Sequence, residues 1–239
     1  TLDGGYIITG ESDGVGDWDV YLIKTDSIGD TLWTRTYGGD DNDGGLSVVQ
    51  TSDGGYIIAG WTMSYGAGME DVYLIKTNSR GDTLWTRTYG DTSFGVMERG
   101  YSVWETSDSG YVMTGYSSTG GPGTEDIYLI RTDHQGDTLW TRTYGGPMED
   151  LGFSVQQTTD GGYIVAGFTN NGGQHDFYLI KADSSGNPLW TRTYGTGATE
   201  QGYSVQQTSD RGYIIGGLSN AYGTVDVCLV KTDSLGAPN

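Results

Sequence analysis

Ten residues recur almost letter for letter along this chain. GDTLWTRTYG stands at 29–38, 81–90 and 136–145, and GNPLWTRTYG at 186–195. Successive copies lie 50–55 residues apart, the spacing of repeat architectures built from one supersecondary unit per copy. Two further pieces recur in step. One is the run SVxQTSDGGYIIAG, at 47–60, 102–115, 154–167 and 204–217. The other is DVYLIKTD, starting at Asp19, Asp71, Asp126, Asp176 and Asp226. Residues 1–10 enter midway through a copy, and a further outer run begins at Gly236-Ala237-Pro238.

Each piece has the composition of a strand, short and rich in Val, Ile, Tyr, Trp and Thr between glycine turns. The unit reads SVQQT (strand a), GYIIAG (b), DVYLIKT (c) and LWTRTY (d). Asp-Gly at 53–54 and 160–161 is a tight-hairpin signal between a and b. The c–d link, DSxGDT, places glycine where positive φ is wanted. No helical period occurs. Glycine reaches 42 residues beside 4 prolines, with no Gly-X-Y period, so collagen is excluded.

Four antiparallel strands per unit predict an all-β chain: a five-bladed β-propeller of four-stranded antiparallel blades. The terminal blades read as incomplete, with strand a missing at the N-terminus and strand d at the C-terminus. The whole of 1–239 forms a single propeller domain, its blade units about 1–45, 46–100, 101–152, 153–202 and 203–239. An open blade exposes strand edges, so another chain or flanking repeats could share strands with it.

The string from DVYLIKTDxxGDTLWTRTYGG through GYSVQQTSDGGYIIAG resembles the beta-propeller repeat of secreted bacterial surface proteins, the SBBP repeat, over essentially the whole chain. The blade order is also similar to WD40 propellers, without their WD dipeptide at the ends of the c strands. The resemblance implies blade architecture and a secreted or cell-surface location, and says almost nothing about activity.

Twelve basic residues face 31 acidic ones, a net charge of −19. That excludes the basic patches nucleic acid and anionic membranes require. One cysteine, Cys228, stands where other copies carry tyrosine, and reads as a core substitution. Alternation puts Trp33, Arg35 and Tyr37 on one strand face. Nine of the twelve basic residues are locked to the repeat, which favours packing over chemistry for each of them. A structural ion-pair network is expected to join Arg35, Arg87, Arg142 and Arg192 to Asp43, Glu98, Asp150 and Glu200, with ring stacking on the motif's aromatics.

Function is expected at the rim formed by the b–c and d–a loops, which differ in every copy. Candidate ligand-binding residues there are Trp18, Tyr65, Phe94 and Tyr222, with Trp61, Tyr116 and Phe168 at the ends of b strands and Trp104 in strand a. His134 and His175 read as solvated turn residues, and no Cys/His cluster suits zinc. The carboxylates of blade one, Asp13, Asp17 and Asp41, are weak calcium candidates whose spacing departs from an EF-hand loop. Glycine-rich stretches are turns, and no cofactor is expected. The favoured function is a non-catalytic extracellular module recognising a glycan or a protein. The alternatives are a passive spacer in a larger surface protein and, more remotely, a glycoside hydrolase.

Overall fold

The computed structural model describes residues 1–13, 17–93, 95–170, 172–221 and 223–238. Among these the chain is all-β, with no helix. Eighteen strands form five antiparallel sheets, and strands consecutive in sequence are neighbours in space. The first sheet holds β1 (Tyr6–Asp13), β2 (Trp18–Thr25) and β3 (Thr31–Tyr37). The second holds β4 (Asp43–Gln50), β5 (Tyr56–Thr62), β6 (Asp71–Thr77) and β7 (Thr83–Tyr89). The third runs through β8 (Glu98–Glu105), β9 (Tyr111–Ser117), β10 (Asp126–Thr132) and β11 (Thr138–Tyr144). The fourth runs through β12 (Asp150–Gln157), β13 (Tyr163–Asn170), β14 (His175–Ala182) and β15 (Pro188–Tyr194). The fifth has β16 (Glu200–Gln207), β17 (Tyr213–Ser219) and β18 (Asp226–Thr232).

The hairpins form for local reasons. Between c and d, the Asp26 carboxylate accepts the N–H groups of Ile28 (3.0 Å) and Asp30 (2.9 Å). Asn78, Asp133 and Asp183 repeat the arrangement, so a side chain fixes each turn. Between a and b, Asp53 accepts the Gly55 N–H and pairs with Lys76 at 2.8 Å. Lys24–Asp3, Lys181–Asp160 and Lys231–Asp210 are its copies. In four of the sheets a repeat-locked lysine thus ties strand c to the turn before strand b.

Strand a is longer than its SVQQ signature. It begins at Asp43, Glu98, Asp150 and Glu200, four residues earlier than the serine. Its pairing with strand b slips between Gly45 and Ser47, between Gly152 and Ser154, and between Gly202 and Ser204. Each slip is a β-bulge that leaves one residue, Leu46, Phe153 or Tyr203, without a cross-strand partner and re-aims its side chain.

The chain divides into two compact units, Thr1–Tyr111 with Asp133–Asp137, and Val112–Thr132 with Thr138–Asn239. In the first, Val20 and Leu22 of β2 pack on Tyr56 and Ile58 of β5. In the second, Ile127 and Leu129 of β10 pack on Tyr163 and Val165 of β13, and Phe177 and Leu179 of β14 on Tyr213 and Ile215 of β17. The core therefore lies between sheets: strand c of one meets strand b of the next. Each of these side chains contributes roughly 1.5–3 kcal/mol on burial.

The repeated outer strand is the seam of that packing. The indoles of Trp33, Trp85, Trp140 and Trp190 meet Tyr56, Tyr111, Tyr163 and Tyr213 of the following sheet, with ring centroids 5.7–5.9 Å apart. Tyr37, Tyr89, Tyr144 and Tyr194 each donate their hydroxyl to the turn carbonyl of the following sheet, at Gly81, Gly136, Gly186 and Gly236, over 2.6–2.7 Å.

Candidate functional site

The bulge in strand a builds the aromatic cluster of the second unit. Phe153 and Tyr203 sit on bulges of consecutive sheets, and their rings lie 5.0 Å apart. Tyr203 is 46% exposed. Phe153 also meets Phe168, at 5.8 Å, and Phe168 stacks almost parallel on His175, at 4.0 Å and 12°. A polar chain runs alongside. The Tyr203 hydroxyl donates to Gln201 Oε1 over 2.6 Å, Gln201 Nε2 lies 2.8 Å from His175 Nδ1, and His175 Nε2 lies 3.6 Å from Glu149. These residues come from the start of strand a, the end of b, the start of c and one d–a loop, the elements bordering the variable rim. The cluster offers an exposed phenol face and partly exposed rings beside amide and carboxylate groups, which suits a ligand with one apolar face and several hydroxyls.

The first unit carries a different arrangement at its own b–c and d–a loops. Arg99 lies over the Trp61 ring, with Cζ 4.6 Å from its centroid. The guanidinium grips Glu70 with two bonds, Nη2–Oε1 at 2.6 Å and Nε–Oε2 alongside. Tyr65 is exposed; its hydroxyl donates to the Gly38 carbonyl over 2.6 Å, and its ring meets Tyr73. Burial first, then the charges of Asp43 and Asp19, push the Tyr65 phenol up.

The expected rim residues are thus not gathered in one place. Trp18 opens β2 rather than preceding it, is exposed, and donates its backbone N–H to Asn42. Trp104 is 37% exposed in β8. Trp61, Tyr116 and Phe168 are buried, as packing between sheets demands. Phe94 and Tyr222 lie outside the described residues. His175 corrects its expectation: it opens β14 stacked on Phe168, because a buried ring face covers it where a turn was expected. The calcium candidates Asp13, Asp17 and Asp41 belong to no group of three or more His, Cys, Asp or Glu among the described residues. Phe153, Tyr203, Gln201, Arg99 and Glu70 went unmarked in the sequence; the one signal was an apolar or aromatic residue between Gly and Ser of every strand a.

The expected ion-pair network is also corrected. Arg35 and Arg87 stack on Trp33 and Trp85 and face Asp82 (3.7 Å) and Asp137 (3.3 Å), in the c–d turns of the following sheets. Arg142 and Arg192 stack likewise on Trp140 and Trp190. Asp43, Glu98, Asp150 and Glu200 lie instead at the start of strand a, almost wholly buried. The arginines sit in mid-strand on the exposed outer edge, so the two sets occupy different ends and depths of the sheet.

No family model matches the chain. Among curated proteins, Regulatory protein FlaEY of Caulobacter vibrioides is 27% identical over 183 residues, 66% of this chain but 19% of that protein. The chain thus spans about a fifth of that relative. Several solved structures resemble it, three of which illustrate the likeness. They are hydrazine synthase of Kuenenia stuttgartiensis (12% identical, TM-score 0.54, covering 90% of this chain and 57% of that one), the WD40 domain of Neurospora crassa Pan2 (10%, 0.54, 90% and 62%) and endo-arabinase of Bacteroides thetaiotaomicron (12%, 0.51, 97% and 90%). At such identity the likeness shows the fold alone, and the fold is a β-propeller.

Proposed function

We propose that the chain is a five-bladed propeller acting as a non-catalytic binding module, with a glycan as its ligand class. The observation that carries this is the Phe153–Tyr203 cluster. Two rings aimed by bulges stand beside Gln201, His175 and Glu149, none of them required by the repeat. Exposed rings flanked by hydrogen-bonding groups match the apolar face and hydroxyl edge of a sugar. Both nitrogens of His175 face protein groups, which leaves it to hold the cluster in place rather than to move a proton. The module would belong to a secreted or surface-exposed protein, as its SBBP-like repeat suggests. The curated relative is a regulatory protein many times longer than this chain, a setting that a recognition module fits.

A glycan array followed by titration calorimetry tests this. A saturable ligand is expected, and Tyr203→Ala should weaken it at least tenfold, equivalent to about 1.4 kcal/mol. Arg87→Ala, on the outer edge, should leave affinity unchanged. The absence of any bound glycan would favour the spacer reading, and hydrolysis of one would favour the hydrolase.

A further inference from the structure

Four carboxylate pairs stand at the junctions between successive sheets. One member lies at the start of a sheet's strand c (β2, β6, β10 or β14), and the other opens strand a of the next sheet. The pairs are Asp19 with Asp43, Asp71 with Glu98, Asp126 with Asp150, and Asp176 with Glu200. At the first three junctions the glycine that ends the WTRTYG run lies between them. At Gly145 an added methyl group would stand 2.6 Å from Asp150 Oδ2 and closer still to Asp126 Oδ1. The glycines at 38 and 90 are crowded by oxygens of both carboxylates in the same way, and Gly195 by Asp176.

Asp126 and Asp150 are 1% and 0% exposed. One oxygen of each is held by a loop amide: Asp126 Oδ2 accepts the Gly123 N–H (3.0 Å), and Asp150 Oδ2 the Gly146 N–H (2.7 Å). The other oxygen of each, Oδ1, is buried without a hydrogen-bond partner. Asp19 Oδ1, Asp43 Oδ1 and Glu200 Oε2 are left the same way. The repeat-locked lysines are committed to the a–b turn carboxylates, and Arg35 and Arg87 face the c–d turns. A buried carboxylate without compensation costs several kcal/mol. Desolvation by burial pushes both Asp126 and Asp150 up, against the hydrogen bonds from Gly123 to Asp126 and from Thr169 and Gly146 to Asp150.

We propose that these junctions bind hard divalent cations of the calcium class, one between the two carboxylates of each pair. Two carboxylates balance the ion's charge, and oxygen-only surroundings suit calcium, which accepts carboxylate, hydroxyl, backbone carbonyl and water ligands. A shared proton is the competing compensation. It would tolerate an amide in place of one acid, since an asparagine or glutamine donates to a facing carboxylate without any charge to bury. All eight positions carry Asp or Glu instead. The cations would thus lock sheet to sheet at the variable rim, while the tyrosine struts and indoles do so along the outer strand.

The test is calcium titration of the chelator-stripped chain by calorimetry at neutral pH, with thermal unfolding followed in parallel. Calcium should bind at up to one site per junction and raise the unfolding midpoint, where sodium chloride at equal ionic strength does not. The Asp126→Asn/Asp150→Asn variant should still fold, because two amides can pair, and should bind one ion fewer. The Asp13→Asn/Asp17→Asn/Asp41→Asn variant should keep every site. Loss of binding in that loop variant would overturn the proposal. So would an unfolding midpoint indifferent to calcium, or one that Asp126→Asn alone raises above the calcium-saturated parent.

Discussion

Four of the seven residues of LWTRTYG have an inter-sheet or edge role. Trp meets the tyrosine of the following sheet, Arg covers the indole, Tyr bonds the next turn, and Gly clears space for two carboxylates. The stacking of Arg on Trp was legible, because alternation puts both on one face. The acid partners were not, because sequence spacing places residues within a strand but not across the gap to the next sheet. The glycine supplies the sharpest expectation. Gly145→Ala would force its methyl group into Asp126 and Asp150, neither of which has room to retreat. Overpacking of this kind typically costs 1–3 kcal/mol. Urea unfolding should show a loss of about that size. Gly161→Ala would meet nothing within 4 Å, so its cost would come from a positive φ of 81° rather than from contact. Equal losses in relaxed and crowded settings would remove the steric account.

At the scale of elements, hairpins and strand order followed from alternation and turn residues. The bulges in strand a did not show. Their residue is Leu46, Phe153 or Tyr203, with none of the glycine that marks a left-handed bulge, and the two-residue period reads smoothly across the slip. The aromatic cluster depends on that slip, so it too was hidden. The a–b turns hold a second irregularity that sequence can be made to test. Gly54 and Gly161 take φ near 80°, but the same turn position carries Ser109 at 64° and Arg211 at 67°. Each keeps the turn bond to Thr106 or Thr208 at 2.9 Å. A left-handed conformation costs a non-glycine residue about 1–2 kcal/mol, and glycine costs roughly 0.5–1 kcal/mol in unfolded-chain entropy. Ser109→Gly and Arg211→Gly should therefore each stabilise by about 0.5–1 kcal/mol, read from the urea midpoint. A destabilised pair of variants would mean that those side chains hold the turn by contacts that outweigh the strain.

Across the whole molecule, the tyrosines of the outer strands couple sheets through one chemical group, the neutral phenol. Burial pushes Tyr37 and Tyr194 up to about 12, and raises Tyr89 and Tyr144 as well. An exposed tyrosine in the unfolded chain ionises near 10. Because the folded value is the raised one, the stability linked to these groups is complete below about pH 10. It falls as the pH climbs towards 12, where the unfolded chain releases protons that the folded chain keeps. The unfolding midpoint should hold level up to about pH 10 and then drop steeply, with phenolate absorbance rising in step with the loss of structure. Acid should act through other groups: against their own desolvation, hydrogen bonds from Lys76 and Thr51 hold Asp53, and those from Thr158, Gly162 and Lys181 hold Asp160, below the usual carboxylate range. Their contribution is present above about pH 4 and lost as the pH falls through the depressed values. Tyr144→Phe separates the two limbs. It removes the Gly186 bond, worth about 0.5–1.5 kcal/mol, and should flatten the alkaline limb while leaving the acid limb in place. An alkaline limb unmoved by that change would assign the pH response to the other tyrosines that burial raises, Tyr73, Tyr111 and Tyr213, instead of the struts.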